Sequence, residues 1–485
     1  MAVRRGQDGR MGRRLAITVV FATSAAILIV EITAGRLLAP YVGVSLETFT
    51  AIIGVILAGI ATGAAVGGWL ADRHDPRRLL GPSLFVGGAL VWVAVPIVRA
   101  IGPEVDGNPL DIVVLATMSF FLPAAVLSAS TPIVAKLRLS TLEETGSVFG
   151  GLSAAGTFGG LAGTFLTGFV LVALLGTRTI MFVVGLLLVV GGLLLEWALR
   201  RGLPAASTAV VFVTSGLAVY GFPPECDVET RYACASVVVD EDDPSLRSLY
   251  LDTLHHARVD LDDPTNLELR YIRLFADVAA VLPPGPVDAL HIGGGGFTIP
   301  THLAAVRPGT SSHVIEIDPG VVDIAEEHLG LQRGPDLTVE VRDARMAVPE
   351  LGDDAYDLVV GDAFSGLSVP WHLTTVELAE EVDRVLRDGG IYVLNVIDGG
   401  DSAFARAELA TLRQAFDHVQ VILPGGEPPE ASRNQVIVAS DRPIPELEID
   451  PDDGVLRDEA FVADYVDGAE VLTDDHAPVD QLLAG

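Results

Sequence analysis

Four consecutive glycines, Gly293 to Gly296, end the apolar run that begins at Val287 (VDALHI). Glycines straight after a buried strand let backbone N–H groups approach a ligand without obstruction by Cβ atoms. Glu316 follows 23 residues after Gly293, at the end of a second apolar run, Ser312 to Ile317 (SHVIEI). That spacing suits a carboxylate accepting hydrogen bonds from the ribose hydroxyls of a nucleotide-like cofactor. A glycine run by itself also fits a structural turn; the following glutamate and the pattern beyond it favour the ligand. Asp343 and Asp362 close two further strand-like runs, 337–341 and 356–360. Three carboxylates thus end three strands and converge on one crevice. Glu316 would hold ribose, Asp343 with Ala344 would meet the adenine edge, and Asp362 would face the reacting centre.

The elements that must position them alternate between strand and helix. Strand-like runs at 287–292, 312–317, 337–341, 356–360 and 390–395 predict a doubly wound parallel sheet of Rossmann-like α/β type. Thr374 with Glu377 reads as a capping box opening one of the helices between strands. Runs at 419–423 and 435–439 suit an antiparallel edge. Ahead of the glycines, ASVVVDED, RSLYLD and HHARVDLDD predict a small β-hairpin layer, and 267–281 has helical spacing. The organisation read from this is 1–223 in the membrane, 224–280 as linker, hairpin layer and helix, and 281–485 as the sheet domain.

The first 223 residues contain 15 Lys and Arg against 11 Asp and Glu, net +4; the remainder contains 16 against 52, net −36. Lys136 is the single lysine. Apolar runs near 15–38, 49–70, 79–98, 110–135, 148–175, 179–199 and 205–222 predict seven spans, an α-helical transmembrane bundle. Basic residues at the N-terminus, at Arg73, Arg77 and Arg78, at Lys136 and Arg138, and at Arg200 and Arg201 fall on alternate connections. With the N-terminus inside, the sheet domain would lie outside the cytoplasm. Gly59, Gly63 and Gly67, and Gly156, Gly159, Gly160 and Gly163, have the spacing of close helix packing in lipid. Glu31, in the first span with Arg36 nearby, reads equally as an ion pair or as a substrate contact. Cys226 and Cys234 read as a hairpin disulfide in an oxidising compartment, the other reading being two unpaired thiols. No second cysteine pair exists for a structural zinc, and no metal is expected. The carboxylate-rich half matches salt-adapted, halophilic proteins and argues against nucleic-acid binding.

The order GGGG, VIEID, RDAR, YDLVVGDAF, VPWHLTTVEL and LRDGGIYVLNV resembles the spermidine synthase (polyamine aminopropyltransferase) family over about residues 236 to 440. SLYLD with His256, and then Tyr271, match its hairpin and helix. The whole chain resembles members of that group fused to an N-terminal transmembrane domain. The resemblance implies the AdoMet-methyltransferase fold and transfer of an aminopropyl group from decarboxylated S-adenosylmethionine to an amine. Asp362 would be the general base, with Tyr271 beside it. Gly293, Gly294, Gly295, Glu316, Asp343, Ala344 and His256 would hold the cofactor, and Trp371 and His372 the crevice lip. A homodimer is implied as well. Three positions depart from the pattern: Ser365 replaces a second carboxylate, His256 a glutamine, and Ile272-Arg273 a His-Glu pair. An incoming diamine would then meet Arg273.

Three functions remain open on this reading: the aminopropyltransferase, a methyltransferase using AdoMet on another acceptor, and a transporter or membrane scaffold whose sheet domain only binds ligand. The loop Gly68-Trp-Leu-Ala-Asp72-Arg73, which resembles one in major-facilitator transporters, belongs to the third.

Overall fold

The computed structural model describes residues 11–43, 45–105, 109–139, 144–200, 226–364, 369–425 and 433–483. Two compact units form, Met1–Glu225 and Cys226–Gly485.

Among the described residues, six helices of the first unit are long and apolar enough to cross a membrane: α1 (Arg13–Val42), α2 (Leu46–Arg73), α3 (Arg77–Glu104), α4 (Pro109–Arg138), α5 (Thr145–Leu174) and α6 (Thr177–Leu199). The seventh expected span, 205–222, lies outside the described residues. The glycine faces are packing seams. A Cβ on Gly63 of α2 would sit 1.9 Å from the Ala125 carbonyl oxygen of α4, and one on Gly159 of α5 would sit 2.2 Å from that of Phe21 of α1. Only glycine lets backbones approach this closely. Arg36 of α1 donates to Thr177 Oγ1 of α6 at 3.1 Å. Lys136 pairs with Asp72 at 2.7 Å, and Arg138 donates to the Met11 carbonyl at 3.3 Å. The start of α1 and the ends of α2 and α4 therefore share one side of this unit, as the distribution of basic residues requires.

The second unit opens with an antiparallel sheet in the order β1 (Val228–Glu229), β2 (Cys234–Val239), β3 (Leu246–Leu251), β4 (Leu254–Asp260). Helix α7 (Arg270–Ala280) follows. The main sheet contains β5 (Asp288–Ile292), β6 (Ser311–Glu316), β7 (Leu337–Val341), β8 (Tyr356–Gly361), β9 (Leu386–Asp398), β10 (His418–Pro424), β11 (Arg433–Ser440) and β12 (Gly454–Arg457). Its spatial order is β12-β10-β11-β9-β8-β5-β6-β7. Helices α8 (Thr298–Val306), α9 (Pro319–His328), α10 (Ala344–Ala347), α11 (Val376–Val385) and α12 (Ala403–Ala415) lie between strands.

Five strands, β5, β6, β7, β8 and β9, pair in parallel as expected, in the spatial order β9-β8-β5-β6-β7. The sheet as a whole is mixed, because β11 runs antiparallel to both β9 and β10. The pair expected at an edge is interior instead, since β12 pairs with β10 beyond it. Alternation along β8 serves two cores: Leu358 and Val360 pack with Phe275 and Val278 of α7, and Val359 packs with Val382 of α11 and Phe404 of α12. The expected capping box does not form. Helix α11 begins after Thr375, whose hydroxyl donates to Asp474 at 2.8 Å, while Glu377 accepts from the Asp474 N–H at 3.0 Å. Both side chains hold the distant Asp474 segment rather than the helix start.

Candidate functional site

Strand order reverses between β5 and β8, because the chain leaves β5 toward β6 on one side and later returns to the other. A crevice opens outside the carboxyl ends of strands at such a point. Gly293 follows β5 and Asp362 follows β8, and their backbones are joined, with the Asp362 N–H donating to the Ile292 carbonyl at 2.8 Å. Gly293 has φ +99°, and a Cβ there would lie 2.4 Å from the Asp362 carbonyl oxygen. Glycine is therefore required twice over. Gly296 has a different reason: its Cβ would lie 2.5 Å from Ala257 Cβ, so the loop packs directly on β4.

Glu316, at the end of β6, is buried. Its Oε2 accepts from the Gly294 N–H at 2.8 Å and its Oε1 from the Asp318 N–H at 2.8 Å. Burial raises its pKa, and backbone N–H bonds from Asp318 and Gly294 oppose the rise. Each carboxylate oxygen keeps acceptor capacity beyond these bonds. The free acceptor positions thus fit donating hydroxyl groups such as those of ribose, and the glycine loop is fixed to the same carboxylate. Asp343, one strand over, accepts from the Arg345 N–H at 2.9 Å and starts α10. Ala344 is buried behind it. His372 Nε2 stands 3.5 Å from Asp343 Oδ2, and the exposed Trp371 packs edge-on against His372. The residues expected at the crevice lip are therefore beside Asp343.

Asp362 is held by two donors. The Tyr271 hydroxyl donates to Oδ2 at 3.1 Å, and the Asn395 amide donates to Oδ1 at 3.1 Å. Burial pushes the Asp362 carboxyl up to about 6, against the lowering effect of these two bonds. Burial first, and then the facing Asp362 charge, raise the Tyr271 phenol well above its usual range, so it stays a donor. Its hydroxyl also lies 3.4 Å from the His256 carbonyl, which brings the hairpin to the site through backbone. Burial pushes the His256 imidazole down to about 4, so that ring is neutral. Chemically, the cluster can accept a proton at Asp362, beside a glycine loop and a second buried carboxylate, Glu316.

Arg273 does not face this cluster, contrary to the expectation. Its guanidinium forms a bidentate pair with Asp453, with Nε donating to Oδ2 at 2.8 Å, and Nη1 donates to the Leu267 and Glu268 carbonyls. Residues two apart on a helix lie about 200° apart, so Tyr271 facing Asp362 turns Arg273 away. Ile272 is buried in the core. Ser365 lies outside the described residues. Asn395 is a site residue that sequence reasoning missed; an asparagine inside the buried run YVLNV was the available signal, because a buried amide needs partners. Asn434 supplies one, donating to Asn395 Oδ1 at 3.0 Å.

The chain is 31% identical to the polyamine aminopropyltransferase of Vibrio vulnificus over 180 residues, 36% of this chain and 58% of that relative. Less than two thirds of that relative's length is thus spanned. It is 27% identical to the polyamine aminopropyltransferase of Chromobacterium violaceum over 205 residues, 42% of this chain and 75% of that relative. Among solved structures, a probable spermidine synthase from Corynebacterium glutamicum is 26% identical, with a TM-score of 0.47, over 52% of this chain and 97% of that one. No family model matches the chain. The six apolar helices are followed by a spermidine synthase-like, polyamine aminopropyltransferase-like domain at modest identity.

Proposed function

We propose that the chain is a multi-pass membrane transferase that moves an aminopropyl group from decarboxylated AdoMet to an amine. The observation that carries this is the Tyr271–Asp362–Asn395 cluster beside the glycine loop and Glu316. Glu316 takes the ribose hydroxyls, Asp343 and Ala344 the adenine edge, and Gly293, Gly294 and Gly295 give the nucleoside close approach. The amine nitrogen attacks the carbon beside the sulfonium. A C–N bond forms, the C–S bond breaks with its electron pair going to sulfur, and the amine's surplus proton passes to Asp362. Tyr271 and Asn395 hold that carboxylate, and His256 closes the cradle from the hairpin. The acceptor is a cationic amine taken up as its neutral form, consistent with an acidic surface, net −36 over residues 224–485. That surface also supports salt adaptation. Arg273, being bound to Asp453, leaves the amine's approach unopposed.

The Cys226–Cys234 disulfide supports an oxidising compartment for this unit. Protease treatment of intact cells tests the side: cleavage within 226–485 before lysis supports the outside, and full protection until lysis contradicts it. The reaction itself is tested by mass spectrometry of products from the purified full chain in concentrated salt. Methylthioadenosine with an extended amine supports the transfer; a methylated amine with S-adenosylhomocysteine moves the reading to a methyltransferase.

A further inference from the structure

The disulfide and the nucleoside cradle are connected by a chain of hydrogen bonds that the proposed reaction does not use. Cys226 and Cys234 close a hairpin whose two strands share only two residue pairs, Val228 with Ala235 and Glu229 with Cys234. So short a ladder is weak by itself; β2 is anchored to β3, and the disulfide ties the β1 arm back to it at the open end of the hairpin. Thr230 organises that tip. Its Oγ1 accepts from the N–H groups of Tyr232 at 3.1 Å and Ala233 at 2.9 Å, and donates to Asp318 Oδ2. Packing matches the bonding: a Cβ on Gly320, in the first turn of α9, would lie 2.6 Å from Thr230 Cγ2. Asp318 is buried, and its own N–H holds Glu316 Oε1 at 2.8 Å. The tip is therefore one residue removed from the carboxylate that would receive ribose. Tyr232 lies in the same field. Burial and then the charges of Asp318, Asp343 and Glu316 raise its phenol, with Arg231 opposing. Tyr232 is 54% exposed, which leaves it accessible to a bound nucleoside.

We propose that the Cys226–Cys234 hairpin is a redox-dependent outer wall of the nucleoside site, in which Thr230 is a positioning residue acting on Glu316 through Asp318. This rests on the reading that the crevice takes an adenosyl nucleoside. Reduction by a dithiol transfers two electrons and two protons: the S–S bond opens to two thiols and the dithiol becomes a disulfide. The tip then leaves Asp318, Glu316 loses its fixed orientation, and the nucleoside binds more weakly.

The test is calorimetric titration of methylthioadenosine into the full chain in detergent, oxidised and after dithiothreitol, with thiol content verified by mass. Reduction is expected to raise Kd about tenfold, the scale of one hydrogen bond to a charged group. Thr230→Val is expected to do the same without reductant, and Thr230→Ser to keep the affinity of the unmodified chain, a rescue that a purely structural threonine would not show. The double variant Cys226→Ser/Cys234→Ser should bind weakly and lose its response to dithiothreitol; should it not fold, the reduced unmodified chain decides. Equal Kd for oxidised and reduced protein overturns the inference and leaves the nucleoside reading intact. Absence of binding by the oxidised protein overturns both.

Discussion

The hydroxyl of Tyr271 donates to Oδ2 of Asp362 at 3.1 Å, joining the helix after the hairpin layer to the end of β8 across 91 residues. With Asn395 on the other oxygen, it offsets part of the burial that lifts the Asp362 carboxyl to about 6. A base must be ionised to accept a proton. Product formation under kcat/KM conditions is therefore expected to show a limb that rises with pH through about 6, above which only deprotonation of the amine raises it further. Tyr271→Phe removes a bond that favours the ionised form, so the same limb should move to higher pH, with a rate loss on the order of tenfold at neutral pH. A limb that stays in place would separate Tyr271 from Asp362.

Glu316 accepts backbone N–H donors on both oxygens. Glu316→Gln turns an NH2 group toward one of them, leaving donor against donor. Nucleoside affinity is expected to fall by about ten- to a hundredfold, read by calorimetry with methylthioadenosine. Glu316→Asp, which keeps the charge but shortens the reach, should fall between.

Two neighbouring glycines should behave differently. Gly293→Ala forces a Cβ to 2.4 Å from the Asp362 carbonyl oxygen at φ +99°, where nothing flexible can give way. A cost of about 3 kcal/mol is expected, with loss of activity, because Asp362 must move. At Gly295, φ +49°, the Cβ meets nothing within 4 Å. Only the left-handed backbone is penalised, at about 1 kcal/mol. Thermal melts of the two variants measure the difference.

Glu408 of α12 is fully buried, and its Oε2 has no hydrogen-bond partner among the described residues. Burial raises its carboxyl well above the ordinary range. The folded chain then holds a proton that the unfolded chain releases near pH 4.5. Stability is full below that pH and declines as pH rises toward the folded value. Glu408→Gln removes the decline, so at neutral pH the variant should melt higher than the unmodified chain and at pH 4 about equally. A lower melting point at neutral pH would mean that the charged form is satisfied.

Strands that end at the candidate site are legible because each is a short apolar run stopped by a glycine or a carboxylate, and parallel burial makes that run continuous. The glycine loop, Glu316, Asp343 and Asp362 were placed from that pattern alone. What escaped depends on partners far along the chain. Thr374 with Glu377 fitted a capping box by spacing, yet Asp474, 97 residues beyond Glu377, takes the carboxylate. The four residues of β12 show no alternation long enough to read, so the antiparallel pair looked like an edge. The resemblance alone points Arg273 at the amine, whereas helix geometry sends it to Asp453, 180 residues away. Thr230 carries no local signal, since its role exists only where the hairpin tip meets Asp318.

Aminopropyl transfer is tested most directly by mass spectrometry of the purified full chain supplied with decarboxylated AdoMet and a panel of amines, with Asp362→Asn alongside. The asparagine keeps the shape and cannot accept the proton. Methylthioadenosine and one extended amine are expected in equal amounts from the unmodified chain, reduced on the order of a thousandfold in the variant. Equal product from both proteins would contradict the assignment of Asp362, and no product from a chain that binds methylthioadenosine would contradict aminopropyl transfer itself.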